Sequence, residues 1–451
     1  VDALLLGRIQ FAMTVGFHFI FPPISIGLAW LLVLIEILAW RTRLEVYERL
    51  GRFFGKILAL TFALGVATGI TMEFQFGTNW SRYSAFVGDI FGAPLAAEAV
   101  IAFFLESSFL GLYIFGRNRV PKGVHVLSIV MVAIGSCLSA FWILVANSWM
   151  QTPAGYVFNE AAGRAELTDF WAAVFNPSTL PRVHHTVAAA LVCGSFMMAG
   201  ICAYLLRRNF QDAMARRGMT IAVIAGLVSS ILVAFPFGHI HAQQVARTQP
   251  AKFAAIEGLY TTQSGAPLVV FAIPFTRPPE LKASVEVPKL LSWLAFGDIN
   301  ATIPGIEEFP EEDRPPLWLT FVSFHNMVAL GMWFILLMLA ALVQRMRRQL
   351  WVSRKLLWWI MISIPLPVLA CELGWMTAEV GRQPWIVQGL MRTADAHSDN
   401  VPAGQVMTSL ILFGVLYTLL GILYVYLLCK KVREQASHNA EQPAAEAALV
   451  A

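Results

Sequence analysis

Residues 124–148 read VHVLSIVMVAIGSCLSAFWILVANS, 25 positions without one Asp, Glu, Lys or Arg. At a rise of about 1.5 Å per residue this run makes a helix roughly 37 Å long, enough to cross a hydrocarbon core of about 30 Å. A helix is the form such a run must take in lipid, because it satisfies every backbone N–H and C=O within the segment. The rest of the 451-residue chain repeats the pattern. Charged residues make up 13% and hydrophobic residues 57%, and the mean hydropathy is +0.65. A soluble chain carries about 25% charged residues, so the composition excludes a string of soluble domains and predicts an all-α integral membrane protein. The net charge of +4 is too small to suggest nucleic acid as a partner. The five cysteines lie in apolar stretches and none forms CxxC, which argues against a disulfide framework or a cysteine-held metal.

Nine stretches are long and apolar enough to span: residues 10–40, 54–72, 92–116, 124–148, 183–206, 218–238, 317–343, 356–379 and 405–429. The first holds Pro22 and Pro23, which predict a kink. Its apolar start is too long, and lacks the basic flank, for a cleavable signal peptide. Basic residues set the orientation. One set of connections holds Arg41, Arg43, Arg49, Arg52 and Lys56, then Arg117, Arg119 and Lys122, with similar clusters near 207–217, 345–355 and 430–433. These account for 20 of the 32 Lys and Arg. The positive-inside rule puts them in the cytoplasm, with the N-terminus outside and the C-terminus inside, as an odd number of spans requires. The predicted organisation is helices one to six in residues 1–238, an external loop at 239–316, helices seven to nine in 317–433 and a disordered cytoplasmic tail at 434–451. The loop has nine acids, six bases and no clear period, and is too long for a passive connector.

An ionisable group in hydrocarbon costs at least about 2.5–3.5 kcal/mol on the insertion scale, so each asks for a reason. The spans contain His18, Glu98, Glu106, His184, His185, His325 and Glu372, with the soft ligand Met327. His18, Glu98, His185, Met327 and Glu372 all fall in the outer half of their helices. His and Met are common axial ligands of haem iron, and His185 with Met327 could form such a pair, while His18 and Glu372 could each hold a further iron. An intramembrane histidine is also commonly a hydrogen-bonded interior residue, and a methionine in an apolar helix is ordinarily core. Spacing does not separate these readings. Glu98 and Glu106 are eight residues apart on one helix, about 12 Å along the axis and about 80° around it. That separation suits a water-bridged proton relay, which Ser107, Ser139 and Asn147 could continue.

Six local strings are more specific: TMEFQFGTNW (71–80), GDIFGAPLA (88–96), FFLES (103–107), LVANSWMQ (144–151), KFAAIE (252–257) and GRQPW (381–385). Together, and in order, they resemble subunit I of the cytochrome bd-type quinol oxidases over essentially the whole chain. The resemblance implies a terminal respiratory oxidase of the bacterial cytoplasmic (inner) membrane that oxidises a membrane quinol at the outer face and reduces dioxygen to water, building proton motive force without pumping. It implies three haems: a low-spin haem b, a high-spin haem b, and haem d or a further haem b. His185 matches one low-spin ligand and Met327 the other, while His18 and Glu372 match the high-spin ligands. Glu98 and Glu106 match carboxylates tied to the high-spin haems and to proton delivery. Lys252 and Glu257 match the quinol-interacting pair of the external loop, the quinol being ubiquinol or menaquinol. Arg382 and Trp385 match the segment that holds the haem region, Arg382 by pairing with a propionate.

The resemblance further implies a homologous membrane subunit II and small single-span subunits. Departures include His325, where many relatives carry Arg two residues before the methionine ligand, GHIHAQQ (238–244) in place of a more acidic stretch, a short external loop, and Val368 where relatives can carry Trp. These resemble the cyanide-insensitive branch. Two other classes fit the intramembrane ionisable residues alone: a proton-coupled membrane transporter, and a haem electron-transfer subunit without a dioxygen site.

Overall fold

The structure, a computed structural model, describes residues 2–276 and 279–441. The first span is two helices, α1 (Ala3–Phe19) and α2 (Phe21–Thr42), broken at Ile20. Pro22 and Pro23 fall in the first turn of α2, where no intrahelical N–H bond is lost. Then come α3 (Glu45–Thr78) and α4 (Ser81–Ala97), which passes through a π-helical turn at Glu98–Phe103 into α5 (Phe104–Gly116). Next, α6 (Lys122–Gln151) is followed by the hairpin of β1 (Tyr156–Asn159) and β2 (Arg164–Leu167), the short α7 (Phe170–Val174) and α8 (Thr179–Arg208). A second π-turn, Val233–Gly238, joins α9 (Ala213–Leu232) to α10 (His239–Thr248).

The long loop contains α11 (Pro250–Glu257), β3 (Gln263–Ser264), β4 (Leu268–Thr276), β5 (Pro279–Val287), α12 (Leu290–Phe296) and β6 (Thr302–Ile303). Past it, α13 (Leu317–Met346), α14 (Arg354–Ile362) and α15 (Leu366–Val380) return, the last two separated at Pro365. A small hairpin, β7 (Trp385–Val387) with β8 (Met391–Arg392), precedes α16 (Ala403–Glu441). Among the described residues nine helical runs are long and apolar enough to cross a membrane, the number hydropathy predicts.

Three expectations change. The sixth helical run continues to Thr248, ten residues past the boundary hydropathy sets, so His239 and His241 are helical and not in the loop. The loop carries antiparallel pairing between β4 and β5, with bulges on either side of Phe271, where the sequence shows no period. Bulges shift the alternation by a residue, which hides a strand from a period-two reading. Residues 434–441 extend α16, and the buried Asn439 donates to Asp212 at 2.6 Å, so this part of the expected tail is an ordered helix end. Residues 442–451, the remainder of that tail, lie outside the described residues.

The bundle is organised on α2 and α8, the two most enclosed spans. In lipid the apolar side chains gain little by choosing each other over acyl chains, so helices associate by close packing, and small residues permit it. A Cβ placed on Gly27 would lie 2.2 Å from the Ala190 carbonyl oxygen, and one on Gly194 would lie 2.3 Å from the Gly27 carbonyl carbon. The two backbones therefore touch at this crossing. Farther along, α16 is mostly exposed along an apolar flank. Gly194→Ala drives a methyl into backbone that cannot rotate away. Overpacking of this kind costs at least about 3 kcal/mol, at the upper end of the usual range, so the detergent-solubilised variant is expected to melt well below the parent in a thermal-shift assay, while Ala199→Gly on the same helix has a smaller effect.

Candidate functional site

At the end of the bundle away from the Arg-rich connections, α6, α8, α11 and α15 bring charged residues into a buried cluster. Arg382 is 3% exposed and forms an ion pair with Glu379. Glu379 also accepts from Asn147 at 2.9 Å and Gln151 at 3.4 Å. Arg182 donates to Asn147 Oδ1 at 2.8 Å. Lys252, 3% exposed, donates to Gln151 Oε1 and to Gln249 Oε1, the latter at 3.0 Å, and Gln249 reaches Gln388 at 3.3 Å. Lys252 also lies against Gly381, where a Cβ would come within 2.9 Å of its stem. Burial, with Arg182 and Arg382 nearby, holds the Lys252 ammonium well below its ordinary pKa.

Three cations thus face a single carboxylate, and several donors have no partner: Arg382 Nε and Nη1, and Arg182 Nε. Unsatisfied buried donors are costly, and a guanidinium with two free N–H groups suits a further carboxylate.

Glu257 lies on α11 with Lys252, but five residues on, about 140° around the helix. The two share no hydrogen bond or ion pair among the described residues. Glu257 is 3% exposed, its Oε2 has no partner, and burial raises its pKa to about 8.

The candidate iron ligands come singly, from different helices. His185 on α8 has an unpartnered buried Nδ1, with Gly238 of the second π-turn 3.6 Å from its ring as measured to an ideal Cβ. Its ring centroid lies 5.6 Å from that of His241. Met327 on α13 points at Gly374 of α15, where a Cβ would come within 2.9 Å of its sulfur. Glu372 on α15 has an unpartnered buried Oε1, and its Oε2 lies 3.5 Å from the Cβ position of Gly16 on α1. His18, two residues beyond Gly16 and so about 200° around α1, instead faces α3. There its Nδ1 bonds Thr68 Oγ1 at 3.0 Å and its ring abuts Gly69. This leaves Nε2 available to a metal, with the second nitrogen oriented by a hydrogen bond.

Glycines lie against all four donors, so each donor packs on backbone where a larger residue would displace it. Among the described residues no three His, Cys, Asp or Glu side chains converge as a bare-ion site. Isolated donors suit iron that already has four macrocycle nitrogens. The residues present therefore fit a haem group, with the free arginine donors suited to its propionates.

Glu98 and Glu106 face the same helix. Glu98 accepts from Ser139 at 2.7 Å and Glu106 from Ser136, three residues apart on α6. The π-turn between the two carboxylates explains why the 80° offset expected from the sequence does not hold. It absorbs one extra residue, so eight residues turn like about seven, and the carboxylates come within about 20° of each other. Asn147 belongs to the cationic cluster and not to this seam, and Ser107 reaches only its own helix, donating to Phe104 O at 3.5 Å.

His184 is exposed, bonded to Leu180 O and stacked on Phe237, away from the cluster. Trp385 carries Arg392 on its ring, 4.9 Å to the centroid. His325 sets Nδ1 3.0 Å from Phe321 O and Nε2 3.0 Å from Val269 O; the neutral ring donates to one carbonyl at a time and packs α13 against β4. Sequence reasoning misses Arg182, His241, Ser136 and Glu379. Glu379 and Arg182 lie in the last or first turn of their helices, where a charge ordinarily needs no explanation. His241 falls within the loop that hydropathy expects.

Among the described residues, nine helical runs able to cross a membrane enclose single soft and carboxylate donors, with a basic cluster short of countercharge at one end. A family model described as "Cytochrome bd terminal oxidase subunit I" matches residues 6–436. The chain is 42% identical to the cytochrome bd ubiquinol oxidase subunit 1 of Bacillus subtilis, over 97% of this chain and 95% of that protein. It is 38% identical to the cytochrome bd-II ubiquinol oxidase subunit 1 of Escherichia coli, over 98% and 99%. Its fold superposes on the bd oxidase of Geobacillus thermodenitrificans with a TM-score of 0.90 at 30% identity, over 96% of this chain and 99% of that one. The chain belongs to the cytochrome bd terminal oxidase subunit I family. It is a subunit of a terminal respiratory oxidase, a multi-pass protein of the bacterial inner membrane, and the transporter reading falls.

Removing one partner of a buried ion pair costs about 3–5 kcal/mol, because the other charge is stranded. Glu379→Gln is therefore expected to lower the melting temperature of the purified protein sharply, and Glu379→Asp to lower it less.

Proposed function

We propose that this chain takes electrons from a membrane quinol at the buried basic cluster and passes them to dioxygen inside the bundle. His185 and Met327 hold a low-spin haem b, and His18 and Glu372 each hold a high-spin haem, one of which is haem d or a further haem b. Bound there, the three haems would supply stepwise electron transfer and the reduction of dioxygen. Two quinols release four electrons and four protons, and one dioxygen takes four of each to give two waters. The observation that carries the reading is the set of buried atoms without partners: His185 Nδ1, Glu372 Oε1 and two nitrogens of Arg382.

Each residue then has a task its surroundings support. Glu257, dry and unpartnered, receives a quinol proton. Lys252, held by Gln151 and Gln249, orients the quinol oxygen. Arg382 and Arg182 bind propionates, and Trp385 packs the hairpin that closes this end. Ser136 and Ser139 fix Glu106 and Glu98, which carry protons toward the dioxygen site from the cytoplasmic end. The positive-inside orientation, with the N-terminus outside, puts quinol protons out and draws water-forming protons from within, so charge separates without a pump.

A homologous subunit II completes the enzyme. The groove between α1 and α16, lined by Met13, Phe17, Tyr417, Ile422, Val425 and Tyr426, is an apolar surface of the kind a small single-span subunit would cover. The substrate is ubiquinol or menaquinol, and the short loop with His325 favours the cyanide-insensitive branch.

The deciding experiment is an optical spectrum of the purified oxidase, reduced and then exposed to carbon monoxide. The reading requires both a six-coordinate haem that ignores the gas and a high-spin haem that binds it. A six-coordinate spectrum alone would leave an electron-transfer subunit. His185→Ala is expected to abolish the six-coordinate signal, and Glu106→Gln to slow dioxygen consumption at least tenfold with haem content intact. Wild-type turnover in Glu106→Gln would remove it from the proton path.

A carboxylate accepts a proton only when ionised, and Glu257 ionises near pH 8. Quinol kcat/KM is therefore expected to rise with pH up to about 8, and this limb should vanish in Glu257→Gln.

A further inference from the structure

The β4–β5 hairpin turns an apolar face outward. Val270, Phe271 and Val285 are each at least 57% exposed, Ile273 is 46% exposed, and Phe271 pairs across the strands with Val285. The opposite face, with Val269 and Ala272, is buried against the loop core. Monomeric proteins in water rarely leave such a patch uncovered.

Its height in the bundle says what covers it. The basic end of α13 is marked by Arg345, Arg347 and Arg348. About 20 residues of helix cross the hydrocarbon, so its far edge falls near Asn326. The clasp between His325 Nε2 and Val269 O fixes β4 at that level. The hairpin therefore stands beside the outer turns of α13 at the interfacial layer, and not above it in water.

Its position around α13 agrees. Val328, Met332, Leu336 and Leu339 form an exposed apolar stripe down that helix, a surface suited to acyl chains. At 100° per residue, Phe321 and His325 fall within about 60° of Val328, on the same stripe. These are the two residues the hairpin covers: His325 through the clasp, and Phe321 as part of the same loop core as Val269. The hairpin thus takes the place of lipid on the last two turns, and its outward face continues the lipid-facing surface. Lys282, the cross-strand partner of Ile273, lies 4.6 Å over the Phe275 ring and pairs with Glu280 at 3.1 Å, so the face ends in one ion pair toward the hairpin tip. An apolar face edged by a snorkelling cation is the make-up of an interfacial segment.

We infer that the β4–β5 hairpin is an interfacial membrane element, seated at the headgroup–acyl boundary of the leaflet opposite the basic end. On the quinol reading above, this places α11 behind a wall in contact with lipid, so a long-chain quinol reaches Lys252 and Glu257 sideways from that leaflet without crossing water.

The test uses the full oxidase in phosphatidylcholine vesicles. The exposed Cys429 is replaced by Ser, and Phe271→Cys or, separately, Val285→Cys is labelled with a bimane fluorophore. Lipids spin-labelled at acyl carbon five are expected to quench both labels at least twofold more than aqueous iodide does. Quenching by iodide alone, or by neither agent as when a protein partner covers the face, overturns the proposal. This readout needs no turnover, so it stands or falls apart from the oxidase reading. In kinetics, Phe271→Glu is expected to raise KM for a long-chain quinol several-fold and leave KM for a short-chain, water-soluble quinol unchanged. An equal change for both overturns the lateral route.

Discussion

A charge placed in a low-dielectric interior must find a countercharge or lose its ionisation. In this chain the constraint is concentrated at one end of the bundle, where Arg182, Lys252 and Arg382 surround Glu379. The supporting amides meet that constraint: Asn147 connects Arg182 to Glu379, Gln151 connects Lys252 to Glu379, and Gln249 ties Lys252 to Gln151 and Gln388. The cluster ties α6, α8, α11 and α15 together where the helix ends would otherwise splay. It remains short of negative charge by its own residues.

Packing is the second constraint. Lipid offers apolar side chains as good a solvent as the protein does, so the bundle coheres where backbones come close enough for dispersion to add up. Gly27 and Gly194 set that distance for the central pair of helices. Glycines recur beside His18, His185, Met327 and Glu372. There they serve the same purpose at a smaller scale, letting a donor side chain lie against bare backbone. One residue type thus sets the close approaches both at the middle of the core and at the sites.

The two π-turns link packing to chemistry. Each inserts one residue into a helix turn and rotates the next stretch of helix. One brings Glu98 and Glu106 onto a common face against Ser139 and Ser136. The other stands next to His185 and carries the polar helix that holds His241. Without that rotation, the carboxylates would point to different neighbours and form no shared polar seam.

Nine spans, their boundaries at the basic ends and some of the ionisable residues inside them, His18, Glu106, His185 and Glu372 among them, were legible in the amino-acid sequence. Those properties sum over about 20 residues or need only one residue in the wrong solvent. The family strings added the ligand assignments by resemblance. The partnership of Arg382 with Glu379, the divergence of Lys252 from Glu257, the common face of Glu98 and Glu106, and the hairpin clasped by His325 were decided by the tertiary structure. Each depends on which elements meet, on a one-residue insertion in a turn, or on a bulge in a short strand. None of these leaves a periodic mark along the chain, because the energy that fixes them comes from contacts between residues far apart in it.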